Sequence, residues 1–336
     1  MIWKKTFILG LVFLCSLAAY FADQALTAKK EMLKQKEESL LSLKKEIITS
    51  IDLENSYGDF RLEKSGDQWF ITQPRRIPAD QDQIASLLNN LDAAKRYHSV
   101  TAEDWEQYGL GKPRAKITIE STTGKQQTIF LGLESTTAGR FFAREKGKEF
   151  VFTVAAHIRN NINRSLYHLR DKNIVPIPRE EITEIRVKRE ADNIILKKSQ
   201  DGSWSILSPI KDNVDQTAMT DMLAEISTLK ARSFLDDQVS SDDVYALDKP
   251  WMSFTVKNDN EVTVKVGMET PRGKAYYAKS EAGGPVFTLD KNFIGKMIAA
   301  HDGQSERPHC AGCRRFYYRN PVPATCCFVS DSTGGL

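Results

Sequence analysis

The residues best suited to chemistry are four cysteines near the carboxyl end. Cys310 and Cys313 lie in the stretch "HCAGC", and Cys326 and Cys327 follow. Two cysteines separated by two residues could bind one tetrahedral zinc ion or form a redox pair. Adjacent cysteines rarely supply two ligands to one ion, however, and no thioredoxin-like pattern surrounds the pair. Because the composition changes abruptly here, we interpret residues 301–336 as an atypical tail that is disordered or read from a shifted frame.

Other patterns that predict a reaction are missing from the sequence. It has no phosphate loop, no paired-histidine zinc helix and no nucleophile elbow. A run of acidic residues lacks the alternation of a calcium loop, and we read it as a solvated loop: Asp236, Asp237, Asp242 and Asp243. We therefore expect no catalytic residue, no cofactor and no bound metal. An envelope hydrolase would need carboxylates or histidines brought together from separate loops.

Composition narrows the class of protein. The 336 residues are 41% hydrophobic and 27% charged, with a formal net charge of +3. These values are typical of a globular protein with room for two domains. Basic and acidic residues alternate, so no basic stripe predicts nucleic-acid binding.

The amino-terminal end predicts a membrane anchor. Lys4 and Lys5 precede a run of 17 uncharged residues, Thr6 to Ala22, which is near the minimum for a membrane-spanning helix. Tyr20 stands where a cleavage site after Ala22 would need a small residue. We predict a retained single-pass signal anchor over residues 1–22 in a bacterial cytoplasmic membrane, with the body facing the periplasm. A cleaved signal and a buried helix of a soluble protein are the alternatives.

The segment after the anchor is rich in Lys, Glu and Leu. Residues 23–48 place Leu26, Leu33 and Leu40 seven residues apart, as in a coiled coil, but Lys29 and Lys36 occupy alternate core positions. We interpret this segment as a solvated helical neck, with an oligomerising coil as the alternative.

The main body of the chain is a tandem repeat. "GDQWFITQP" at residues 66–74 returns as "DGSWSILSP" at residues 201–209, an offset of 135. The same offset relates the pair Asp80-Gln81 to Asp215-Gln216, Gly132 to Gly267 and "VFT" at residue 151 to "VFT" at residue 286. "YGLGKP" and "YALDKP" are 137 apart, which indicates a two-residue insertion. We predict repeat domains over residues 49–175 and 176–300.

Both copies follow one plan of strands and a helix. Alternating segments such as "DFRLEK" and "QWFITQ", and later "AKITIE" and "QTIFLG", predict short antiparallel strands. Each tryptophan strand stops at a proline, Pro74 or Pro209, because proline cannot donate to a ladder. The predicted fold class is α+β: two tandem repeated domains with antiparallel sheets and one main helix each, behind the anchor helix.

The predicted helices have recognisable amino-terminal caps and apolar faces. Asp80 with Gln83 forms a capping-box pattern, whereas Asp215 caps the second helix without a partner because Ala218 cannot close the box. The apolar faces comprise Ile84, Leu87, Leu88 and Leu91, and then Met219, Met222, Leu223 and Ile226.

Several repeated residues allow a functional or a structural interpretation. Trp69 and Trp204 could be aromatic platforms for a ligand, but their alternation within a strand favours core packing. Gly109 could mark a backbone position with positive φ, yet Ala246 stands at its counterpart, which argues against a strict requirement. His98, His157 and His168 have no histidine counterparts, and we expect surface or local hydrogen-bonding roles for them.

Together these motifs resemble an uncharacterised bacterial repeat family, domain of unknown function 4340. The resemblance covers about residues 50–300 and includes the helix "ADQDQIASLLNNLDAAK" and "LRDK" at residues 169–172. The second copy departs from the family pattern, because this copy lacks both the Gly of the "YGL" motif and a counterpart of "LRDK". We expect structural roles for the motif residues, which are Trp69, Pro74, Asp80, Tyr108, Leu110, Pro113, Gly132, Phe152, Trp204, Pro209, Asp215, Tyr245, Leu247, Pro250, Gly267 and Phe287.

The resemblance implies a function as well as a fold. Proteins of this family look like envelope proteins with one amino-terminal anchor, and they are often encoded beside ABC-type permease components of gliding-like auxiliary transport. The resemblance implies no catalytic residue. We expect a non-enzymatic accessory or interaction subunit whose partners are the membrane and other proteins. The alternative is a periplasmic ligand- or polymer-binding module that uses the cleft between the repeats, with the prolines of residues 173–181 setting the angle.

Overall fold

The computed structural model describes residues 38–189, 192–209, 211–235 and 241–302, and six single residues nearer the amino end, at positions 17, 20, 21, 23, 24 and 27. The predicted anchor and the cysteine tail lie almost entirely outside the described residues, as do Asp236 and Asp237 and most of residues 23–37 of the predicted neck. Residues 38–48, the end of that neck, are described: Leu40 and Leu41 are buried in the core of the first unit, and a 3₁₀ helix at Lys45–Ile47 leads into the first strand, so this part is not a solvated helix. Among the described residues, no helix has the length and apolar character needed to cross a membrane.

The chain forms two compact units. The first runs to Ile174 and also includes Lys230–Leu235, and the second comprises Val175–Leu229 and the described residues from 241 onward. The first contains β1 (Ile48–Asn55), β2 (Gly58–Ser65), β3 (Gln68–Gln73), β4 (Ile77–Pro78), α1 (Gln81–Ala93), β5 (Tyr97–Thr101), β6 (Ala115–Ser121), β7 (Gln126–Glu134), β8 (Arg140–Glu145), β9 (Phe150–Ala155), α2 (Ala156–Ile162) and α3 (Leu166–Leu169). Its strands form one nine-stranded sheet in the order β4-β3-β2-β1-β6-β7-β8-β9-β5.

The second sheet has the same strand order. The remaining elements are β10 (Glu184–Arg189), β11 (Asp192–Lys198), β12 (Trp204–Ser208), β13 (Asp212–Asn213), α4 (Gln216–Ser227), β14 (Ser233–Phe234), β15 (Met252–Lys257), β16 (Glu261–Glu269), β17 (Ala275–Ser280), β18 (Phe287–Asp290) and α5 (Lys291–Asp302). The sheet order is β13-β12-β11-β10-β15-β16-β17-β18-β14. Within the described ranges, four short 3₁₀ helices accompany these elements, at Lys45–Ile47, Glu106–Tyr108, Arg179–Glu181 and Asp242–Tyr245.

Alternation along the strands builds the cores. Along β6 the residues with odd numbers are buried and those between them are half-buried. Ile117 and Ile119 therefore lie on the buried face of the sheet. These pair with Leu53 and Ile51 of β1 in an antiparallel register. The buried face of α1 belongs to the same apolar cluster. Burial at about 25 cal/mol per Å² makes this face the main source of stability in the unit.

The antiparallel, largely β character is confirmed, and the structure adds elements that alternation missed. The strands β4, β13 and β14 have two residues each, β9 is apolar at almost every position, and four of the five residues of β5 are exposed, so none of these strands shows a period of two. The second unit also carries a helix, α5, that the sequence analysis did not predict. The strands β3 and β12 end immediately before Pro74 and Pro209, and both of these X-Pro bonds are cis.

Candidate functional site

Each repeated tryptophan is buried in a core, and a glutamine side chain forms hydrogen bonds to its backbone. The Trp69 side chain is 7% exposed and that of Trp204 is 5% exposed. Gln81 accepts a hydrogen bond from the Trp69 N–H at 2.8 Å and donates to the Trp69 carbonyl at 3.0 Å. Gln216 makes the same two bonds to Trp204, at 3.1 and 2.9 Å. The repeated Asp-Gln pair therefore serves the tryptophan strand as well as the helix cap.

The "YGL" motif and the repeated glycine meet in space. A Cβ atom built on Gly132 would lie 2.2 Å from the Tyr108 carbonyl oxygen, and one on Gly267 would lie 2.0 Å from that of Tyr245. Only a glycine permits so close an approach of backbone. The motif thus fixes the loop after the 3₁₀ helix against β7 or β16.

The interpretation of Gly109 requires correction. Gly109 has φ +67° and Ala246 has φ +55°, so both units adopt the left-handed conformation at this position. Alanine in the second copy tolerates this conformation at a cost. Glycine is needed in the first copy for a further reason, since a Cβ there would lie 2.6 Å from Leu133 Cγ.

The two helix caps differ between the units. Asp80 accepts from the Gln83 N–H at 3.1 Å, but the capping box does not close, because the Asp80 N–H donates to the Leu169 carbonyl and the Gln83 side chain bonds Arg164. This corrects the expected reciprocal pair. In the second unit the Asp215 carboxylate accepts from the N–H groups of residues 217 and 218.

The lysine of the "LRDK" segment forms an ion pair with Asp80, the amino-terminal cap of α1. Lys172 Nζ lies 2.9 Å from Asp80 Oδ2, and both side chains are mostly buried, at 12% and 15% exposure. Burial opposes ionisation of Asp80, but the Lys172 ammonium and the Gln83 N–H outweigh it and hold the pKa of this carboxyl below its usual range. No residue described in the second unit forms an ion pair with Asp215.

The remaining predicted residues take core or surface positions. Leu110, Phe152, Tyr245, Leu247 and Phe287 are buried; Pro113 and Pro250 are half-buried. His98 contacts Arg140 and His168 contacts Ser165, while His157 is exposed on α2. Asp242 pairs with Lys279. Across the described residues, no group of three or more His, Cys, Asp or Glu side chains is arranged to hold a metal ion.

The first unit contains a cavity of about 190 Å³ that the motifs did not predict. Its lining comprises Ser56, Arg114, Ala115, Leu131, Gly132, Arg159 and Asn163. Arg114 immediately precedes β6, and Arg159 and Asn163 belong to α2 and its carboxyl end. Ala115 and Leu131 give the cavity an apolar lining and two arginines line it as well, so the cavity can accept an anionic group beside an apolar one.

The amide of Asn163 is fixed in this cavity by its neighbour. The Ser56 hydroxyl donates to Asn163 Oδ1 at 2.8 Å, and the Ser56 N–H donates to the same oxygen at 3.3 Å. This assignment leaves the amide NH₂, a donor, available to a ligand.

The second unit fills the equivalent place with an aromatic side chain. Trp251 stands at the position of Arg114, since Met252 pairs with Val266 as Ala115 pairs with Leu131. Its indole Nε1 donates to the Gly267 carbonyl at 2.7 Å. Its ring centroid lies 5.4 Å from that of Tyr276, the counterpart of Phe141.

Comparison with known proteins decides the family. The family model described as Domain of unknown function (DUF4340) matches residues 69–250 and 204–300. The chain belongs to this family. A search of curated proteins finds no match to the chain.

The two DUF4340 matches begin at equivalent residues. They start at Trp69 and Trp204, the two tryptophans that the glutamines hold. The first match contains both arginines of the cavity, while Ser56 precedes it. Sequence reasoning on this DUF4340 chain missed Arg114 and Arg159, because a search for repeated residues ignores positions that differ. The exchange of Arg114 for Trp251 was the available signal.

Proposed function

We propose that this DUF4340 chain is a non-enzymatic, membrane-anchored envelope protein that acts as an accessory or interaction subunit of an ABC-type, gliding-like transport system. The proposal depends on one observation: the repeated residues have structural roles in both units. Trp69 and Trp204 are core side chains, Gln81 and Gln216 bond their backbone, and Gly132 and its counterpart admit a carbonyl. What was duplicated is thus a scaffold.

A duplicated scaffold with diverging surfaces suits the binding of other molecules. The two sheets have the same strand order and each buries its repeated tryptophan, while the side chains at one equivalent point are Arg114 and Trp251. Function in such a protein resides in the surfaces grafted on the fold. We therefore assign the two units to partner recognition.

The proposal includes a single membrane span. The uncharged run after Lys5 would hold the chain in the cytoplasmic membrane, and the two lysines before it favour an inside amino terminus. The two units would then lie in the periplasm, where the partner's external regions are accessible.

The test is crosslinked affinity purification of the full-length chain from membranes, with partners identified by mass spectrometry. We expect enrichment of an ABC-type permease or its auxiliary subunits. The matched control is Leu11→Arg with Leu14→Arg, because a charge at the centre of a span costs about 2.5–3.5 kcal/mol on insertion. This control should lose both membrane retention and the partner. Recovery of the wild-type chain as a free soluble protein without partners would refute the proposal.

A periplasmic ligand-binding module is the second candidate, and the cavity of the first unit favours it. The cavity combines an apolar lining with arginine and amide donors, as ligand sites do. Thermal unfolding in the presence of sugars, peptides and small acids tests this candidate, since a ligand at 100 times its Kd stabilises by about 2.7 kcal/mol. No stabilisation by any of them would remove it.

A further inference from the structure

We propose that the cavity of the first unit binds a single aromatic ring that carries a carboxylate. This site goes beyond the accessory role proposed above and does not depend on it, because every residue involved belongs to the first unit. The ligand class follows from two separate observations, one on the ring and one on the charge.

The second unit indicates that the ligand contains an aromatic ring, because one of its own side chains, the Trp251 indole, lies at the equivalent place. Trp251 lies at the register position of Arg114 and places an indole against Tyr276, with its N–H donating to the carbonyl of the repeated glycine. In the first unit Phe141 takes the place of Tyr276, since Phe141 pairs with Glu134 as Tyr276 pairs with Glu269. Here no side chain of the first unit's own strand supplies the ring, and a cavity lies beside Gly132.

The size of the cavity agrees with one ring. An apolar cavity of about 150 Å³ is sufficient for benzene. The volume here is about 190 Å³, enough for a ring with a short substituent.

The carboxylate is argued from the donors in the wall. Arg114 and Arg159 both line the cavity. The second unit has Trp251 at the position of Arg114 and the fully buried Ile294 at that of Arg159, since α5 begins 135 residues after α2. Within the described part of the chain, no carboxylate forms an ion pair with either guanidinium. Arg159 stacks over Phe141, with 4.8 Å from Cζ to the ring centroid, which holds one guanidinium beside the ring site. Planar guanidinium groups match a carboxylate in charge and geometry.

Asn163 adds a third donor. Its Oδ1 is occupied by the hydroxyl and the N–H of Ser56, so its NH₂ group is the part that can meet a ligand. Two cations and an amide donor around an apolar lining favour an acid over a neutral or cationic aromatic compound.

The test measures binding of indole-3-acetate to the purified full-length chain by isothermal titration calorimetry and saturation-transfer NMR. Indole and acetate are tested separately. We expect indole-3-acetate to bind at least tenfold more tightly than indole, and acetate alone to be weaker still. Equal binding of indole and indole-3-acetate would overturn the carboxylate, and no binding of either would overturn the site.

Variants place the ligand in the cavity. Arg114→Trp introduces the residue of the second unit and should abolish binding, with thermal unfolding little changed because Trp251 already occupies this position in the other sheet. Arg159→Gln should weaken indole-3-acetate at least tenfold and indole much less. Arg179→Gln, an exposed arginine of the second unit, is the charge-matched control and should bind like wild type. Wild-type affinity in folded Arg114→Trp and Arg159→Gln would exclude this cavity.

A dipeptide and its amide distinguish two sources of the carboxylate, a peptide chain terminus and a free small acid. A dipeptide that ends in tryptophan with a free carboxylate presents the same chemistry as a chain terminus, and its amide lacks the charge. Tighter binding of the free dipeptide than of indole-3-acetate would identify a chain terminus as the source. Tighter binding of indole-3-acetate would identify a free small acid. Binding of the amide as tightly as the acid would overturn the proposal.

Discussion

The two units place different side chains at the equivalent point of two sheets that have the same strand order. In the first, Arg114 and Arg159 border a cavity beside Gly132. In the second, Trp251 covers the equivalent glycine and bonds its carbonyl. The scaffold therefore accepts either an aromatic side chain of its own or a cavity at this position, and the residue before β6 or β15 is one of those that differ.

The caps of the main helices show a second difference. Asp80 is paired with Lys172, which lies 92 residues away, whereas the Asp215 carboxylate accepts from two backbone N–H groups. The first helix is thus tied to the end of its own unit by an ion pair. Five predictions test how far the equivalence of the two units extends.

The largest effect is expected at the repeated glycines. Gly132→Ala and Gly267→Ala should each destabilise the protein by about 2–3 kcal/mol, because the new Cβ would overlap a backbone carbonyl oxygen that cannot move freely. Chemical denaturation measures the loss, and hydrogen exchange assigns it to one unit. Gly295→Ala is the control: its Cβ meets nothing within 4 Å, so this helix position should be neutral or stabilised. Equal stability of all three variants would contradict the close approach.

The next effect concerns the ion pair of the first unit. Lys172→Met should cost about 2 kcal/mol at pH 7, because it leaves a mostly buried carboxylate with one backbone donor. Asp215→Asn in the second unit should be nearly neutral, since Asn caps a helix as well as Asp. Urea denaturation of both variants checks the contrast.

The same pair predicts a pH dependence. The pKa of Asp80 is lowered on folding, so its contribution to stability is present above its unfolded pKa of about 3.9 and is lost as the pH falls through the lower folded value. The difference between wild type and Lys172→Met should therefore shrink below about pH 4. A difference that stays constant down to acid denaturation would count against the pair.

A smaller effect is expected from the glutamines. Gln81→Ala and Gln216→Ala should each cost about 1 kcal/mol, because each leaves the N–H of a core tryptophan without its partner. Gln81→Glu keeps the acceptor and loses the donors, so it should retain part of the stability. Thermal unfolding distinguishes the three variants, and an Ala variant as stable as wild type would show that the bonds contribute nothing.

The smallest effect is a gain at Ala246. Ala246→Gly should stabilise by about 0.5 kcal/mol, because glycine relieves the left-handed strain while losing more entropy on folding. Gly109→Ala should destabilise by more than this gain, since its Cβ would meet the side chain of Leu133. Melting temperatures of the two variants test the asymmetry, and shifts of the same sign would refute it.

The sequence by itself determined the duplication, most of the strand segments and the identity of the core tryptophans. These depend on local patterns, since alternation with a period of two and a proline stop act within a few residues of the chain. The left-handed conformation at residue 246 escaped that reasoning because Ala is a residue that local rules place elsewhere.

Only the tertiary structure decided which distant residues meet. The bonds from Gln81 to Trp69, the approach of Tyr108 to Gly132 and the pairing of Asp80 with Lys172 depend on sheet register and on helix position. The cavity is the extreme case, because its lining is drawn from positions between 56 and 163. Residue spacing along the chain carries no information on such contacts, since a change of register by one residue would send every side chain to the other face.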